Sequence, residues 1–235
     1  MTTDIQAVLF DCDGVLVDSE VVGLEGSVRF LAERGFDWGP EDLIRRFTGM
    51  RQDRFADALT AAYEEVLGRA PDAAEAEALM AGLIEARRAE RDTMTLVPGA
   101  ETSVRAALDA GLRVAVASSS ASIYLHDKVD RFGLRPLFGE AVYSADLVAH
   151  GKPAPDIFLH AAAALGVAPH ACLVIEDSRH GVTAGRAADM TVWGFTGGGH
   201  CLADHADALS GAGAAWIATD HVALSRRLAT PGAGA

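Results

Sequence analysis

The stretch IQAVLFDCDG, residues 5–14, decides the fold of this chain. An almost uninterrupted apolar run of this length is typical of a strand buried on both faces of a parallel sheet. Asp11 and Asp13 follow the run directly, at the end of the strand where open α/β sheets place their ligands. Carboxylates this close repel one another unless a positive charge holds them, and oxygen-rich sites suit Mg²⁺. The pair therefore predicts a reaction centre, with one carboxylate as a nucleophile and the other as a proton donor.

The composition narrows the classes of partner. The chain has 235 residues, of which 50% are hydrophobic, and a formal net charge of −13. This charge argues against nucleic acid or an anionic membrane as a partner, whereas a metal ion and one lysine would still allow a small phosphorylated ligand. The three cysteines are too scattered for a disulfide framework or a zinc site, and no signal peptide or membrane-length apolar segment is found. A cytoplasmic monomer is the simplest expectation.

Short apolar runs alternate with helical segments along most of the chain. The predicted strands are 7–10, 113–117, 141–144, 171–175, 191–194 and 215–218, and helices such as 100–110 and 156–165 lie between them. Alternation of this kind predicts an α/β fold with a doubly wound parallel sheet.

A helical stretch interrupts this rhythm after the first strand. Leu24, Val28 and Leu31 recur at helical spacing, and Gly35 is a good terminator for their helix. Further helices are predicted over 40–47, 51–67 and 73–91. The sequence therefore predicts a core domain of residues 1–18 and 93–235, and an inserted helical domain of residues 19–92.

Three later motifs carry polar side chains where a strand ends or a helix begins. Ser118, in ASSS after the second predicted strand, is suited to hold phosphate oxygens, although a helix N-cap is the more common role for such a serine. Lys152, in GKPAPD, lies in a proline-flanked turn where it would neutralise a phosphate, and an ordinary surface lysine is the alternative.

The third of these motifs, EDS, ends another apolar strand. Glu176 and Asp177 would complete an oxygen shell around a divalent cation, while capping of the next helix by Asp177 or Ser178 is the competing interpretation.

The order of these motifs, an acid pair, a hydroxyl, a lysine and a second acid pair, resembles the haloacid dehalogenase superfamily. The resemblance covers about residues 5–195. The segments DGVLVDSE (13–20), GKPAPDIF (151–158) and EDSxxG (176–181) are similar to those of the beta-phosphoglucomutase-like branch of small-sugar phosphatases and mutases. The resemblance implies a Rossmann-like core with the helical insertion as a mobile cap domain.

The resemblance also implies a reaction and its residues. A Mg²⁺-dependent phosphatase would hydrolyse a small phosphorylated metabolite, such as a sugar or sugar-acid phosphate, through an aspartyl-phosphate. Asp11 would be the nucleophile and Asp13 the general acid and base, while Ser118 and Lys152 would hold the phosphoryl group. The implied metal ligands are Asp11, Asp13 through its main-chain carbonyl, Glu176 and Asp177. Because a halide leaving group needs no proton, the acid at Asp13 favours phosphatase chemistry over dehalogenation.

Substrate specificity is expected to come mainly from the cap. The candidate substrate-binding residues are Ser119, Glu20, Arg45, Thr48, Gly49 and Arg51. For the two arginines an equally weighted alternative is that they are solvated charges on the surfaces of helices. Many members of this branch carry a histidine where this chain has Gly23. That histidine assists the acid and base step in the mutase, so its absence counts against the alternative activity, a sugar phosphomutase. A non-catalytic binding protein is a third, weaker hypothesis.

Other conspicuous side chains are expected to have structural roles. Cys12 is expected to turn away from the site. His180 and His200 could approach a ligand, but isolated histidines near loops are more often bystanders. The three tryptophans are expected to be packing residues.

Overall fold

A computed structural model describes residues 5–47 and 52–229, with the backbone only for residues 52–54. Its centre is a six-stranded sheet in the order β3-β2-β1-β4-β5-β6, in which all neighbouring strands are parallel. The strands are β1 (Ala7–Phe10), β2 (Arg113–Ser118), β3 (Val142–Ser144), β4 (Cys172–Glu176), β5 (Thr191–Phe195) and β6 (Trp216–Ala218). Each observed boundary lies within one residue of the predicted one, and the predicted α/β fold with a parallel sheet is confirmed.

The first strand is buried because it runs through the middle of the sheet. All four residues of β1 are fully buried, and Phe10 pairs with Val116 of β2 on one side and Ile175 of β4 on the other. This register brings the residues that follow β1 next to the carboxyl ends of β2 and β4, at the edge where parallel strands present their ligands.

Helices cover both faces of the sheet. They are α5 (Ala100–Asp109), α6 (Ser122–Arg131), α7 (Arg135–Phe138), α8 (Asp156–Leu165), α9 (Arg179–Ala187), α10 (His205–Gly211) and α11 (His221–Leu228). Ala7 and Leu9 belong to one apolar cluster with Phe158 of α8, Val182 of α9 and Leu209 of α10. On the other face Phe10 meets Phe138 of α7 edge to face, with ring centroids 6.1 Å apart, and α5 packs against both β2 and α11.

The inserted segment forms its own compact unit, Ser19–Met94. Its described helices are α1 (Leu24–Ala32), α2 (Pro40–Phe47), α3 (Gln52–Leu67) and α4 (Ala73–Ala89). They share an apolar core that includes Leu31, Phe36 and Leu59. The predicted fourth helix ends two residues early, at Ala89, and a short 3₁₀ turn over Arg91–Thr93 follows it.

The second unit joins Met1–Asp18 to Thr95–Ala235, so the predicted boundary after residue 92 differs by two residues from the one observed after Met94. The chain leaves this α/β unit and returns to it at one place. Val17 bridges Leu96, and the amide of Asp18 donates to the carbonyl of Thr95 over 2.9 Å.

Among the described residues, no helix combines the length and the apolar character that crossing a membrane requires.

Candidate active site

The predicted core-site residues come together at the carboxyl ends of β1, β2 and β4. Asp11 follows β1 directly, and its amide donates to the carbonyl of Ile175 over 3.0 Å. Ser118 is the last residue of β2 and Glu176 the last residue of β4. Lys152 reaches the same place from the turn before α8. Three neighbouring strands and one loop thus supply the cluster.

Lys152 links the two acidic motifs. Its Nζ lies 2.5 Å from Asp11 Oδ1 and 2.6 Å from Glu176 Oε1, and it donates to the carbonyl of Ala117 over 3.0 Å. The Lys152 side chain is only 4% exposed, so the interpretation as an ordinary surface lysine is wrong.

The environment of Asp11 is unfavourable to its charge. Burial raises the pKa of Asp11 well above its usual range, Lys152 opposes this shift, and the carboxylates of Glu176, Asp177 and Asp13 add to it. For Lys152, burial favours the neutral amine, but Asp11 and Glu176 outweigh that effect and raise its pKa. Lys152 is therefore a charged lysine held between two buried carboxylates.

Asp13 has a separate cation that the sequence interpretation missed. Lys128 Nζ contacts Asp13 Oδ1, and the Ser120 hydroxyl donates to Asp13 Oδ2 over 2.7 Å. Lys128 lies on α6, three residues after the buried Leu125 and one before the buried Val129. A lysine at this spacing lies on the inward face of its helix, and that was the signal available in the sequence.

Ser118 does not cap a helix, so the N-cap interpretation is wrong for it. The residue is fully buried, and its hydroxyl accepts from the amide of Ser120 over 3.0 Å and lies 3.4 Å from Asp13 Oδ2. The first amide of α6, on Ser122, donates instead to Asp146 Oδ2 over 2.7 Å. Ser119, a predicted substrate-binding residue, is exposed to solvent.

Protein donors engage both oxygens of Glu176. Its Oε1 faces Lys152, and its Oε2 accepts from the amide and the hydroxyl of Ser178, each over 2.9 Å. The Ser178 hydroxyl also caps α9 by accepting from the amide of Gly181 over 2.9 Å, as the capping alternative for Ser178 predicted. A Cβ on Gly181 would lie 1.7 Å from Glu176 Oε1, so only glycine allows this carboxylate to lie against the helix.

Asp177 lies against His200, and the expectation that His200 is a bystander is wrong. His200 is 2% exposed, and its Nε2 lies 3.0 Å from Asp177 Oδ2. Burial disfavours the charged imidazole, but the bond to the carboxylate outweighs it and raises the pKa of His200 to about 11. Gly14 completes the contact, because it has a φ of +79° and a Cβ there would lie 2.0 Å from Asp177 Oδ2.

The remaining predictions have mixed outcomes. Cys12 is fully buried, and His180 is exposed at the start of α9. The tryptophans pack as expected: Trp193 and Trp216 meet edge to face at 5.0 Å, and Trp38 lies 4.8 Å from Phe36.

In the helical unit, Glu20 is partly exposed and Arg45 is exposed on α2. Thr48, Gly49 and Arg51 lie outside the described residues. Gly23 has a φ of +76°, and a Cβ there would lie 2.5 Å from the Cα of Arg87, so this position has no room for a side chain such as histidine.

The donor set of the α/β unit fits Mg²⁺. Asp11, Asp177 and the main-chain carbonyl of Asp13 offer only oxygen ligands, which this hard cation prefers. Burial and three neighbouring carboxylates raise the pKa of Asp11 in spite of Lys152, and a divalent cation would relieve that excess of negative charge.

A family model described as haloacid dehalogenase-like hydrolase matches residues 5–189 of this chain. The chain belongs to this family. The match covers the four motifs from Asp11 to Asp177, and haloacid dehalogenase-like (HAD) relatives of known name or structure are similar over most of the chain.

Two curated relatives illustrate the similarity. The chain is 33% identical over 187 residues to hexitol phosphatase B of Escherichia coli K12, covering 79% of this chain and 81% of that protein. It is 38% identical over 186 residues to the chloroplastic protein SUPPRESSOR OF QUENCHING 1 of Arabidopsis thaliana, covering 79% of this chain. The chain spans 17% of the length of that second protein.

Two solved structures share the fold. A HAD family hydrolase from Deinococcus radiodurans R1, solved with bound phosphate and sodium, has a TM-score of 0.82 and 37% identity over 94% of both chains. A provisionally named beta-phosphoglucomutase from Thermotoga maritima has a TM-score of 0.72 and 27% identity, covering 94% of this chain and 97% of that one. The chain thus belongs to the beta-phosphoglucomutase-like branch of the HAD hydrolases.

Proposed function

We propose that this HAD hydrolase is a Mg²⁺-dependent phosphatase that hydrolyses a small phosphorylated metabolite, a sugar or sugar-acid phosphate, through an aspartyl-phosphate on Asp11. The proposal rests on one observation: Asp11 and Asp13 each form an ion pair with a different lysine at the carboxyl ends of the strands. Lys152 lies against Asp11 at 2.5 Å, and Lys128 lies against Asp13. Two adjacent carboxylates with separate cations suit two different tasks.

In the first proposed step, an oxygen of Asp11 attacks phosphorus and the bond from phosphorus to the ester oxygen breaks. Asp13 gives its proton to the departing alcohol, a task that suits the less buried of the two acids, since its side chain is 18% exposed against 9% for Asp11. Lys152 and Ser118 hold the transferring phosphoryl group, and Glu176 positions Lys152.

In the second proposed step, Asp13 takes a proton from a water molecule as that water attacks the phosphorus of the aspartyl-phosphate. The bond from phosphorus to the Asp11 oxygen breaks, inorganic phosphate leaves, and Asp11 is again a carboxylate. Lys128 and Ser120 keep Asp13 oriented in both steps.

Mg²⁺ would be held by Asp11, Asp177 and the main-chain carbonyl of Asp13, and it would neutralise the charge of the phosphoryl oxygens. Because both oxygens of Glu176 already accept hydrogen bonds from the protein, Glu176 would contact Mg²⁺ through a water molecule and not directly. His200 orients Asp177 by its contact with Oδ2.

The substrate class rests on the relatives and on the helical unit. Hexitol phosphatase B is a relative by name, and the Deinococcus radiodurans structure holds phosphate. The helical unit is the proposed cap and specificity element, and Glu20, Arg45, Thr48, Gly49 and Arg51 stay its proposed substrate-binding residues. The steric block at Gly23 favours hydrolysis over phosphomutase activity.

The proposed setting is the cytoplasm, with the protein acting as a monomer. Its three cysteines are all unpaired, which agrees with a reducing compartment.

The test is phosphate release from a panel of sugar and sugar-acid phosphates, with Mg²⁺ or with EDTA, for the wild type and for Asp11→Asn. We expect release that requires Mg²⁺ and is lost in the variant, and the ranking of the panel would identify the substrate. Absence of release from every ester by the folded wild type would contradict the proposal. Formation of a sugar-phosphate isomer without release would favour the mutase.

A further inference from the structure

A cluster of nitrogen and sulfur donors lies beside Asp177. His200, Cys201 and His205 come from the segment between β5 and α10, and each offers a ligand atom within 4.8 Å of the other two. His200 is buried, while Cys201 and His205 are partly exposed, which gives an ion a route from solvent. The proposed phosphatase mechanism uses His200 only to orient Asp177 and uses neither Cys201 nor His205.

The spacing of these donors matches tetrahedral coordination of zinc. With Zn–N near 2.0 Å and Zn–S near 2.3 Å, a tetrahedral centre separates a nitrogen from a sulfur ligand by about 3.5 Å, and two nitrogen or oxygen ligands by about 3.3 Å. Cys201 Sγ lies 3.6 Å from His200 Nε2, and Asp177 Oδ2 lies 3.0 Å from the same nitrogen. Both separations lie within a few tenths of an ångström of the tetrahedral values.

The second histidine is already oriented as a metal ligand would be. His205 Nε2 donates to the carbonyl of Asp177 over 2.5 Å, since a carbonyl oxygen only accepts. The neutral ring therefore keeps its lone pair on Nδ1. A ligating histidine usually donates its other N–H to a carbonyl or carboxylate in this way, which fixes the ring and its tautomer.

The loop that carries the cluster is held in place by its main chain. The amide of Gly199 donates to Asp18 Oδ1, and the amide of Cys201 donates to the carbonyl of Gly198, each over 3.0 Å. A Cβ on Gly198 would lie 2.6 Å from the carbonyl oxygen of Gly14, so the loop lies directly on the turn after β1. Binding an ion here would order little additional chain.

We propose that His200, Cys201 and His205 form a second metal site, selective for a thiophilic divalent cation such as Zn²⁺, with Asp177 as the fourth ligand. Thiolate and imidazole donors favour zinc and disfavour Mg²⁺, which takes oxygen ligands. The site is therefore chemically distinct from the magnesium site, although the two share one carboxylate. It also revises the expectation that scattered cysteines exclude a zinc site, because two histidines near Cys201 supply donors that further cysteines would otherwise have to supply.

The shared carboxylate has a regulatory consequence, which rests on the proposed function. Zn²⁺ bound by His200 and Cys201 would draw Asp177 Oδ2 into its own shell and remove a ligand from Mg²⁺. Zinc is then an inhibitor of the phosphatase that a simple excess of Mg²⁺ relieves only in part.

The binding test uses Co²⁺ as a spectroscopic substitute for Zn²⁺ on the full chain. We expect one equivalent of Co²⁺ to give a thiolate-to-cobalt charge-transfer absorption that one equivalent of Zn²⁺ removes. Cys201→Ser should lose this absorption, and His205→Gln, which keeps an N–H donor for the carbonyl of Asp177, should weaken the affinity for Zn²⁺ by at least about tenfold. Cys172→Ala is the matched control, because Cys172 is a buried cysteine of the same unit on β4, and it should keep the absorption.

Two results would overturn the site: no such absorption in the wild type, or an absorption of equal strength in Cys201→Ser. His205→Gln gives an independent answer if Cys201→Ser unfolds, because unchanged zinc affinity in His205→Gln also contradicts the proposal.

The inhibition is tested separately, by comparing each protein with and without Zn²⁺ at saturating Mg²⁺. Inhibition of the wild type that is lost in Cys201→Ser supports the shared ligand, and equal inhibition in both contradicts it. A protein without phosphatase activity would overturn the proposed function and leave the Co²⁺ result standing.

Discussion

The two units of this protein differ in the charges they bury: the α/β unit has a buried ion-pair cluster beside exposed pairs such as Arg105–Glu101, whereas the described pairs of the helical unit are exposed. In the α/β unit, Lys152 with its partners Asp11 and Glu176 is almost completely buried, at side-chain exposures of 4%, 9% and 1%. In the helical unit, the pairs Arg29–Glu90, Arg46–Glu65 and Arg69–Glu75 each include an arginine that is at least 37% exposed.

The difference shows where this chain places chemistry. Exposed ion pairs contribute little to stability, so the helical unit is held together by its apolar core. A buried cluster of charges is costly to assemble, and removing its cation Lys152 leaves the carboxylates uncompensated. The α/β unit keeps such a cluster at the carboxyl edge of its sheet, where the proposed reaction centre lies.

The largest effect is expected for Asp11→Asn, which removes the proposed nucleophile. The rate of phosphate release should fall by at least about 10⁴-fold. Stability should stay equal or rise, because burial and the neighbouring carboxylates raise the pKa of Asp11 and so disfavour its charge at neutral pH. Phosphate release and urea unfolding, measured on the same sample, check the predicted loss of activity and the predicted stability. A variant that is active, or clearly less stable than the wild type, would contradict the prediction.

Lys152→Met should be the most destabilising substitution at the edge of the sheet. It leaves Asp11 and Glu176 buried without their cation, and losing one partner of a buried pair costs about 3–5 kcal/mol. Urea unfolding at pH 7 measures the loss, and activity should disappear with it. A variant as stable as the wild type would show that the cluster is better hydrated than its burial indicates.

Lys128→Met tests the second, more exposed ion pair of the same edge. Because Lys128 holds Asp13 rather than Asp11, we expect kcat to fall by about 10²-fold, within the range of general acid–base catalysis, with a smaller loss of stability than in Lys152→Met. The two lysine variants are controls for each other. Equal effects on stability, or an unchanged kcat in Lys128→Met, would remove the distinction between the two carboxylates.

A buried histidine gives the α/β unit a predicted pH dependence. His221 on α11 lies 2.6 Å from the Ser103 hydroxyl and donates from Nε2 to the carbonyl of Val15 over 2.8 Å. Burial lowers its pKa from 6.5 to about 4. Between these values the unfolded chain binds a proton that the folded protein excludes, so stability is complete above pH 6.5 and falls as the pH drops.

This histidine should account for about 2 kcal/mol of stability lost between pH 7 and pH 5. Urea unfolding at the two pH values measures it, and His221→Gln should show a shallower pH dependence than the wild type. An equal pH dependence in both proteins would assign the loss to the carboxylates instead.

The smallest effect is expected for Arg69→Met in the helical unit. Arg69 Nη2 lies 2.5 Å from Glu75 Oε1, but the side chains of Arg69 and Glu75 are 57% and 33% exposed. The unfolding midpoint should move less than in either lysine variant, and added salt should reduce the difference further. A loss comparable to that of Lys152→Met would mean that short contact geometry, rather than burial, decides the value of an ion pair in this protein.

The fold and half of the site could be predicted from the sequence because both depend on local pattern. Continuous apolar runs identified the six strands, and a carboxylate that directly follows such a run must lie at the carboxyl edge of the sheet. Asp11, Asp13, Glu176 and Asp177 were found in this way. Lys152 was singled out by its proline-flanked turn, and the surface alternative was excluded only by its burial.

The missed residues depend on tertiary contacts that no local pattern contains. Lys128 reaches Asp13 from a helix more than a hundred residues along the chain, and only its position on the buried face of α6 hinted at a role. His200 follows a glycine-rich loop whose direction is set by the bond from the Gly199 amide to Asp18. In both cases the side chain gains its partner only when distant elements pack together.

The paired exit and return at Val17 and Leu96 makes the helical unit an interchangeable module. The chain leaves and re-enters the α/β unit at hydrogen-bonded neighbours, so the intervening segment is a closed loop. The entropic cost of closing such a loop grows only with the logarithm of its length, by about 0.6 kcal/mol for each doubling. Helices can be added, lost or replaced there without moving a strand. The proposed reaction centre and the proposed specificity element are therefore free to evolve at separate rates.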